Sequence, residues 1–176
     1  PTHQGVYLPE TSKIISLIDE SVQFGPTLVI WLLDQSRSSS GLVENVTGQL
    51  RDYYSNPKTT AGNAEQADQL LTAVATFGET ISYLLETPSG SGTTVAAALS
   101  SVDVDSSGRE NSFAALQTVV DKYLDFRLKQ NREIIIVAVT DEAGDDQQLV
   151  EPLTKTMIKN AIPLYVIGTS APFGQS

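Results

Sequence analysis

Cysteine is absent from the 176 residues, and histidine occurs once, as His3. The first absence removes disulfides, thiolate nucleophiles and cysteine-ligated zinc or iron–sulfur centres, while leaving the compartment open. The second all but excludes a hydrolase of the Ser-His-Asp type. That chemistry needs a buried, oriented imidazole, and His3 stands in what reads as a frayed terminus. Basic residues are few: 11 Lys and Arg against 21 Asp and Glu, a formal net charge of −10. They are scattered rather than clustered, so nucleic acid is not an expected partner, and anionic membrane surfaces are disfavoured on the same ground. No apolar run reaches the roughly 18–20 residues of a membrane span, so direct membrane insertion is not expected. The opening "PTHQGVYLPE" has none of the marks of a signal peptide.

What is present is an ordinary globular composition, 40% hydrophobic and 18% charged, at a length that fits one domain. The chain opens on Pro rather than Met and stops at "APFGQS". The expectation is a single domain over 1–176, cut from a longer protein, with a leading helix in 1–24 and a core over 26–168.

Ile14, Ile15, Leu17, Ile18 and Val22 are spaced for a helix, with Thr11 or Ser12 as its N-cap. Gly25-Pro26 ends it. Thr27–Leu33 is a continuous apolar run, the mark of a strand covered on both faces. A helix is expected over Gly41–Tyr54, then a polar loop with a fragment of helix. "QLLTAVATFG" and "TISYLLET" form a hairpin about Gly78-Glu79. "TTVAAALSSV" reads as a short helix. "SFAALQTVVDKYLDFRLK" reads as a long one, with Phe113, Leu116, Val119, Val120, Tyr123, Leu124 and Leu128 on one stripe. "EIIIVAVT" is a second doubly buried strand, "QQLVEPLTKTMIKN" a helix, and "IPLYVIG" the last strand. This alternation predicts an α/β fold: a doubly wound, mainly parallel sheet with one antiparallel edge strand and helices on both faces.

In such a sheet, ligands sit outside the carboxyl ends of the strands. Asp34 and Asp141 each follow a buried strand at that end. Both loops are rich in oxygen: Asp34, Ser36, Ser38 and Ser39 in one, Thr140, Asp141, Glu142, Asp145 and Asp146 in the other. Two carboxylates brought together repel unless a cation lies between them. Oxygen-only donors select Mg²⁺, Mn²⁺ or Ca²⁺. In extended backbone, positions 34, 36 and 38 are in phase and face one side.

"VIWLLDQSRSS" resembles the Asp-x-Ser-x-Ser element of von Willebrand factor type A domains, which opens their metal-ion-dependent adhesion site. "IIIVAVTDEAGDD" resembles the strand of that family that ends in Thr-Asp-Gly, "AVATFG" its second strand and "IPLYVIG" its last. Order and spacing agree over about residues 26–168. The resemblance implies Ser36 and Ser38 binding Mg²⁺ directly, with Asp34 and Asp141 acting largely through water. A third loop of the family supplies a Thr just before a helix. "SSGRENSFAAL" stands in that place here, immediately before the helix feeding the later strand, and makes Glu110 the substitute donor. Thr93 in "SGTTVAAAL" is the fallback, a local match that leaves an extra helix before the strand. Two further departures are Arg37 between the serines and Glu142 after Asp141, each where the family has Gly. Arg37 with Glu142, or Arg109 with Glu110, would pair across the cleft without metal.

Blander readings stand beside these. Asp34 and the serines 36–39 are also N-cap candidates for the helix that follows. Asp145 and Asp146 suit the first turn of a helix. Trp31 suits the core. Asn45-Val46-Thr47 matches a glycosylation sequon by chance, on a helix, and Gly90-Ser91-Gly92 lacks the Lys of a phosphate loop.

The resemblance implies a non-catalytic protein-binding module whose Mg²⁺ (or Mn²⁺ or Ca²⁺) takes an Asp or Glu carboxylate from a partner protein. The alternatives are a metal-free interaction scaffold and a Mg²⁺-dependent phosphatase of the haloacid dehalogenase type. The phosphatase needs a second acid two residues after the first, and that position is Ser36.

Overall fold

The computed structural model describes residues 2–78, 80–103, 112–141, 155 and 157–168, with side chains from residue 11 onward except 112 and 113. In chain order the elements are α1 (Thr2–Phe24), β1 (Thr27–Asp34), a 3-10 turn (Arg37–Ser39), α2 (Ser40–Ser55), a second 3-10 turn (Ala64–Gln66), β2 (Leu70–Phe77), β3 (Ile81–Ser89), α3 (Gly92–Leu99), α4 (Ser112–Leu128), β4 (Glu133–Val139) and β5 (Leu164–Ile167). Lys155 and residues 157–159 are helical, within the expected "QQLVEPLTKTMIKN" helix, whose remaining residues up to 154 lie outside the description.

The five strands run in the order β3-β2-β1-β4-β5. β1 lies at the centre, parallel to β2 on one side and to β4 on the other, from Thr27↔Leu70 and Thr27↔Glu133 upward. β5 is parallel to β4, and β3 returns antiparallel to β2 as an edge. All eight residues of β1 are buried, as an apolar run enclosed on both faces should be. Its side chains alternate between two cores. Val29, Trp31 and Leu33 pack with residues of α1, α2 and α3, while Leu28, Ile30 and Leu32 pack with Leu116, Val119 and Val120 of α4.

Two expectations are corrected. Thr11 and Ser12 are not caps, because α1 runs through them from Thr2. The α4 stripe does not reach Leu128, which is 61% exposed in the helix's last turn, beyond the cover of the sheet. Trp31 is fully buried, in the core as expected.

The ends of the strands fix where function can lie. Backbone pairing continues past β1, with Gln35 N donating to Phe77 O at 2.8 Å, and Thr140 N after β4 donates to Ile167 O at 3.0 Å. The loops that follow the two central strands are therefore pinned to their neighbours on the sheet's carboxyl edge.

Candidate functional site

Asp34 ends β1 and is buried, with 1% of the residue exposed. A buried carboxylate is tolerable only when hydrogen bonds replace its water. Three are in place: the Ser36 backbone N–H donates to Oδ1 at 2.8 Å, and the hydroxyls of Ser39 and Thr140 donate to Oδ2 at 2.8 and 2.6 Å. Above Asp34 the Ser36 and Ser38 hydroxyls lie 3.1 Å apart. Ser38 Oγ reaches Asp141 Oδ1 at 3.4 Å across the gap between β1 and β4. Ser36 is buried while Ser38 and Arg37 are exposed, so the group opens outward along the serine loop.

Asp34, Ser36, Ser38 and Asp141 are thus brought together, although Arg37–Ser39 is a 3-10 turn and not the extended backbone on which the in-phase spacing was argued. Ser39, counted in the sequence only as one more oxygen of the loop, is the hub between them. Its hydroxyl lies 2.5 Å from Asp141 Oδ1 as well as 2.8 Å from Asp34 Oδ2, and it accepts the Asp141 backbone N–H at 3.1 Å. Ser39 occupies the N-cap position of α2 yet makes no side-chain capping bond, and Ser36 at the head of the 3-10 turn makes none either. The helix-cap reading of these two hydroxyls is therefore set aside. The only signal for this in the sequence is an extra hydroxyl immediately after the Ser-x-Ser pair.

Thr93 is placed away from this group. It sits in the first turn of α3, its hydroxyl 3.1 Å from Ser91 Oγ, where β3 has run back to pair Ser89 with Thr72 near the start of β2. That is the amino edge of the parallel strands. The chain passes here close under the end of α2: a Cβ on Gly92 would lie 2.0 Å from Tyr54 O. α3 then climbs to the carboxyl edge, where Asp103 O accepts the Gln35 Nε2–H at 3.2 Å. Glu110, Arg109, Asn111, Glu142, Asp145 and Asp146 lie outside the described residues. Among the described residues no three His, Cys, Asp or Glu side chains converge on one point; the group consists of the Asp34 and Asp141 carboxylates with the hydroxyls of Ser36, Ser38, Ser39 and Thr140. Beside it opens a cavity of about 270 Å³ between α2 and α3, lined by Asp34, Ser36, Glu44, Arg51, Leu99 and Asp103 among others.

No protein-family model and no curated protein matches the chain. Solved structures do. A von Willebrand factor type A protein from Catenulispora acidiphila superposes with a TM-score of 0.59 at 9% identity, over 81% of this chain and 33% of that one. Manganese-loaded TRAP protein of Plasmodium vivax gives 0.60 at 16% identity, over 82% and 58%. Proximal thread matrix protein 1 from the mussel byssus, with a zinc-occupied MIDAS motif (the abbreviation of the adhesion site named above), gives 0.56 at 15% identity, over 82% and 36%. The chain spans only part of each of these proteins. Its fold is that of von Willebrand factor type A domains.

Proposed function

We propose that the chain is a non-catalytic protein-binding module that holds a divalent cation, Mg²⁺ or Mn²⁺, at the carboxyl ends of β1 and β4 and there engages an Asp or Glu carboxylate of a partner protein. The observation that carries this reading is the pair of hydroxyls, Ser36 and Ser38, set 3.1 Å apart over a buried Asp34 and facing Asp141. Neighbouring oxygens around a hard octahedral cation, each about 2.1 Å from it, lie about 3 Å from one another, and oxygen-only donors suit such ions. A second support is a count of protons. The Ser39 hydroxyl has one proton and two carboxylate oxygens within 2.8 Å, so positive charge beside the pair is favoured. The resemblance of the sequence element and the metal named for two solved proteins of the same fold point the same way.

In this reading Ser36 and Ser38 hold the ion directly, Asp34 and Asp141 hold it largely through water, and Glu110, two residues before α4 in the sequence, completes the set. The bound ion supplies an open coordination position for an oxygen of the partner's carboxylate. Asp34 is locked by Ser39 and Thr140 and contributes fixed negative charge from below. Exposed Arg37 adds attraction for an incoming acid despite the acidic body of the molecule.

No turnover is assigned. Ser36 stands where a phosphatase would need its second acid, so an aryl phosphate incubated with Mg²⁺ and the protein should release no phosphate above background. A metal-free interaction scaffold is the competing reading, favoured by one observation: Ser39 donates to Asp34 and accepts the Asp141 backbone N–H, so it ties the two loops through contacts that need no ion. Isothermal titration with MgCl₂ and MnCl₂ decides between them. Saturable heat in the wild type that is lost in Asp34→Ala supports the cation site, and absent heat in both proteins would leave the scaffold.

A further inference from the structure

From the position of one side chain we infer that Ser39 is the positioning residue of the site: its hydroxyl sets the separation of the Asp34 and Asp141 carboxylates and so sets how tightly a cation is held. The inference rests on the cation reading above and adds to it a residue outside the Asp-x-Ser-x-Ser element.

Two independent features of Ser39 carry it. The first is connectivity. Asp34 ends one strand and Asp141 follows another, and the two lie 107 positions apart in the chain. Ser39 contacts both carboxylates, at 2.8 and 2.5 Å, and also accepts the Asp141 backbone N–H at 3.1 Å. One fully buried hydroxyl thus ties the β1 loop to the β4 loop at the point where their charges meet. The second feature is how the backbone holds the side chain. Arg37–Ser39 is a 3-10 turn that runs straight into α2, and Ser39 itself has helical backbone (φ −93°, ψ −3°), so a rigid element aims its hydroxyl inward at the carboxylates. Sites that hold a bound group to close tolerance place the groups that orient it on such elements.

Ser39 is not placed as a ligand. It acts as hydrogen-bonded partners of metal-binding carboxylates do, fixing their orientation, and loss of such a partner commonly weakens metal binding about 10–100-fold. Ser40 is the internal control. It is the next serine, but its hydroxyl bonds to Arg37 O at 2.9 Å and touches neither carboxylate.

The test is titration of MnCl₂ into wild type, Ser39→Ala, Ser39→Cys and Ser40→Ala, with melting temperatures in EDTA alongside and electron paramagnetic resonance of the Mn²⁺-saturated proteins. Ser39→Cys keeps the side-chain shape but replaces the hydroxyl with a weak donor, so it serves if the alanine variant does not fold. The expected result is about 10–100-fold weaker binding for both Ser39 variants, unchanged binding for Ser40→Ala, and an altered Mn²⁺ line shape at saturation in the Ser39 variants. Wild-type affinity and line shape in a folded Ser39 variant, even with a lower melting temperature, would overturn the inference and leave the cation reading intact. No binding to the wild type would overturn both.

Discussion

Three side chains on three elements meet in the core under the site. Trp31 Nε1 donates to Tyr54 Oη at 2.9 Å, and the Tyr54 and Thr72 hydroxyls lie 2.9 Å apart. Tyr54→Phe keeps the ring but leaves the buried indole N–H without its acceptor, at a cost of about 1–3 kcal/mol. For a domain of this size that lowers the melting temperature by about 3–8 °C, to be read from the fluorescence of Trp31, the only tryptophan. The same tyrosine carries a pH prediction. Burial pushes the Tyr54 hydroxyl from 10.0 up to about 12, and Tyr53 and Tyr123 are raised for the same leading reason. A group that holds its proton more tightly when folded contributes stability below its unfolded pKa and loses it as pH rises through the folded one. Urea midpoints should therefore be flat just below pH 10 and fall between pH 10 and 12, and a constant midpoint across that window would contradict the burial argument. At this scale the sequence was informative about type and spacing. Asp34 and Asp141 meet because both stand at strand ends, while Ser36 and Ser38 reach them through the turn at Asp34–Ser36 and the 3-10 turn at Arg37–Ser39 rather than through the extended two-residue period expected. Ser39 was not legible as a bridge, because a serine before a helix is ordinarily a cap, and only the packed loop shows which way its hydroxyl turns.

The helices and strands were easier to read than the contacts among them. Continuous apolar runs declared β1 and β4 as doubly covered strands, and Gly25-Pro26 and Gly78 fell at real breaks. The start of α1 was missed. Thr11 and Ser12 read as caps because they stand just ahead of the first apolar residues of the helical spacing, yet the helix runs on from Thr2. What α1 does is nonetheless visible in its spacing. Ile14, Ile18 and Val22 are buried against the sheet together with residues of α2, and Tyr53 Oη of α2 donates to Asp19 Oδ1 at 2.5 Å. Covering those three aliphatic side chains is worth about 5–9 kcal/mol by area, close to the whole stability of many domains. Deleting residues 1–23 should therefore give a protein that melts at least about 10 °C lower or fails to melt cooperatively. Ile18→Ala, fully buried in the same face, should cost about 2–5 kcal/mol. An unchanged melting temperature on deletion would show that α1 is an appendage rather than a layer of the fold.

For the molecule as a whole, the carboxyl edge gathers side chains from distant parts of the chain, with Asp34 near one end and Asp141 far along it, in a protein of formal net charge −10. Any cation relieves diffuse repulsion in such a body, so a salt effect alone says nothing about a site. A site predicts something more specific. An ion that binds only the folded arrangement stabilises it by RT ln(1 + [L]/Kd), about 2.7 kcal/mol at a concentration 100 times Kd. In a domain of this length that raises the melting temperature by about 5–10 °C. The rise should persist when ionic strength is held constant with NaCl, because it depends on converged oxygens rather than on screening. It should disappear in Asp34→Ala, which removes one charge of the 21 acidic ones and so barely alters the diffuse term. Loss of the Mg²⁺-dependent rise with the NaCl-dependent rise retained is the expected signature. Equal rises in wild type and Asp34→Ala at matched ionic strength would mean that the acidic body alone responds to the ion. The loops of β1 and β4 would then be a fixed polar edge whose hydrogen bonds, centred on Ser39, join two strands of the sheet without a metal.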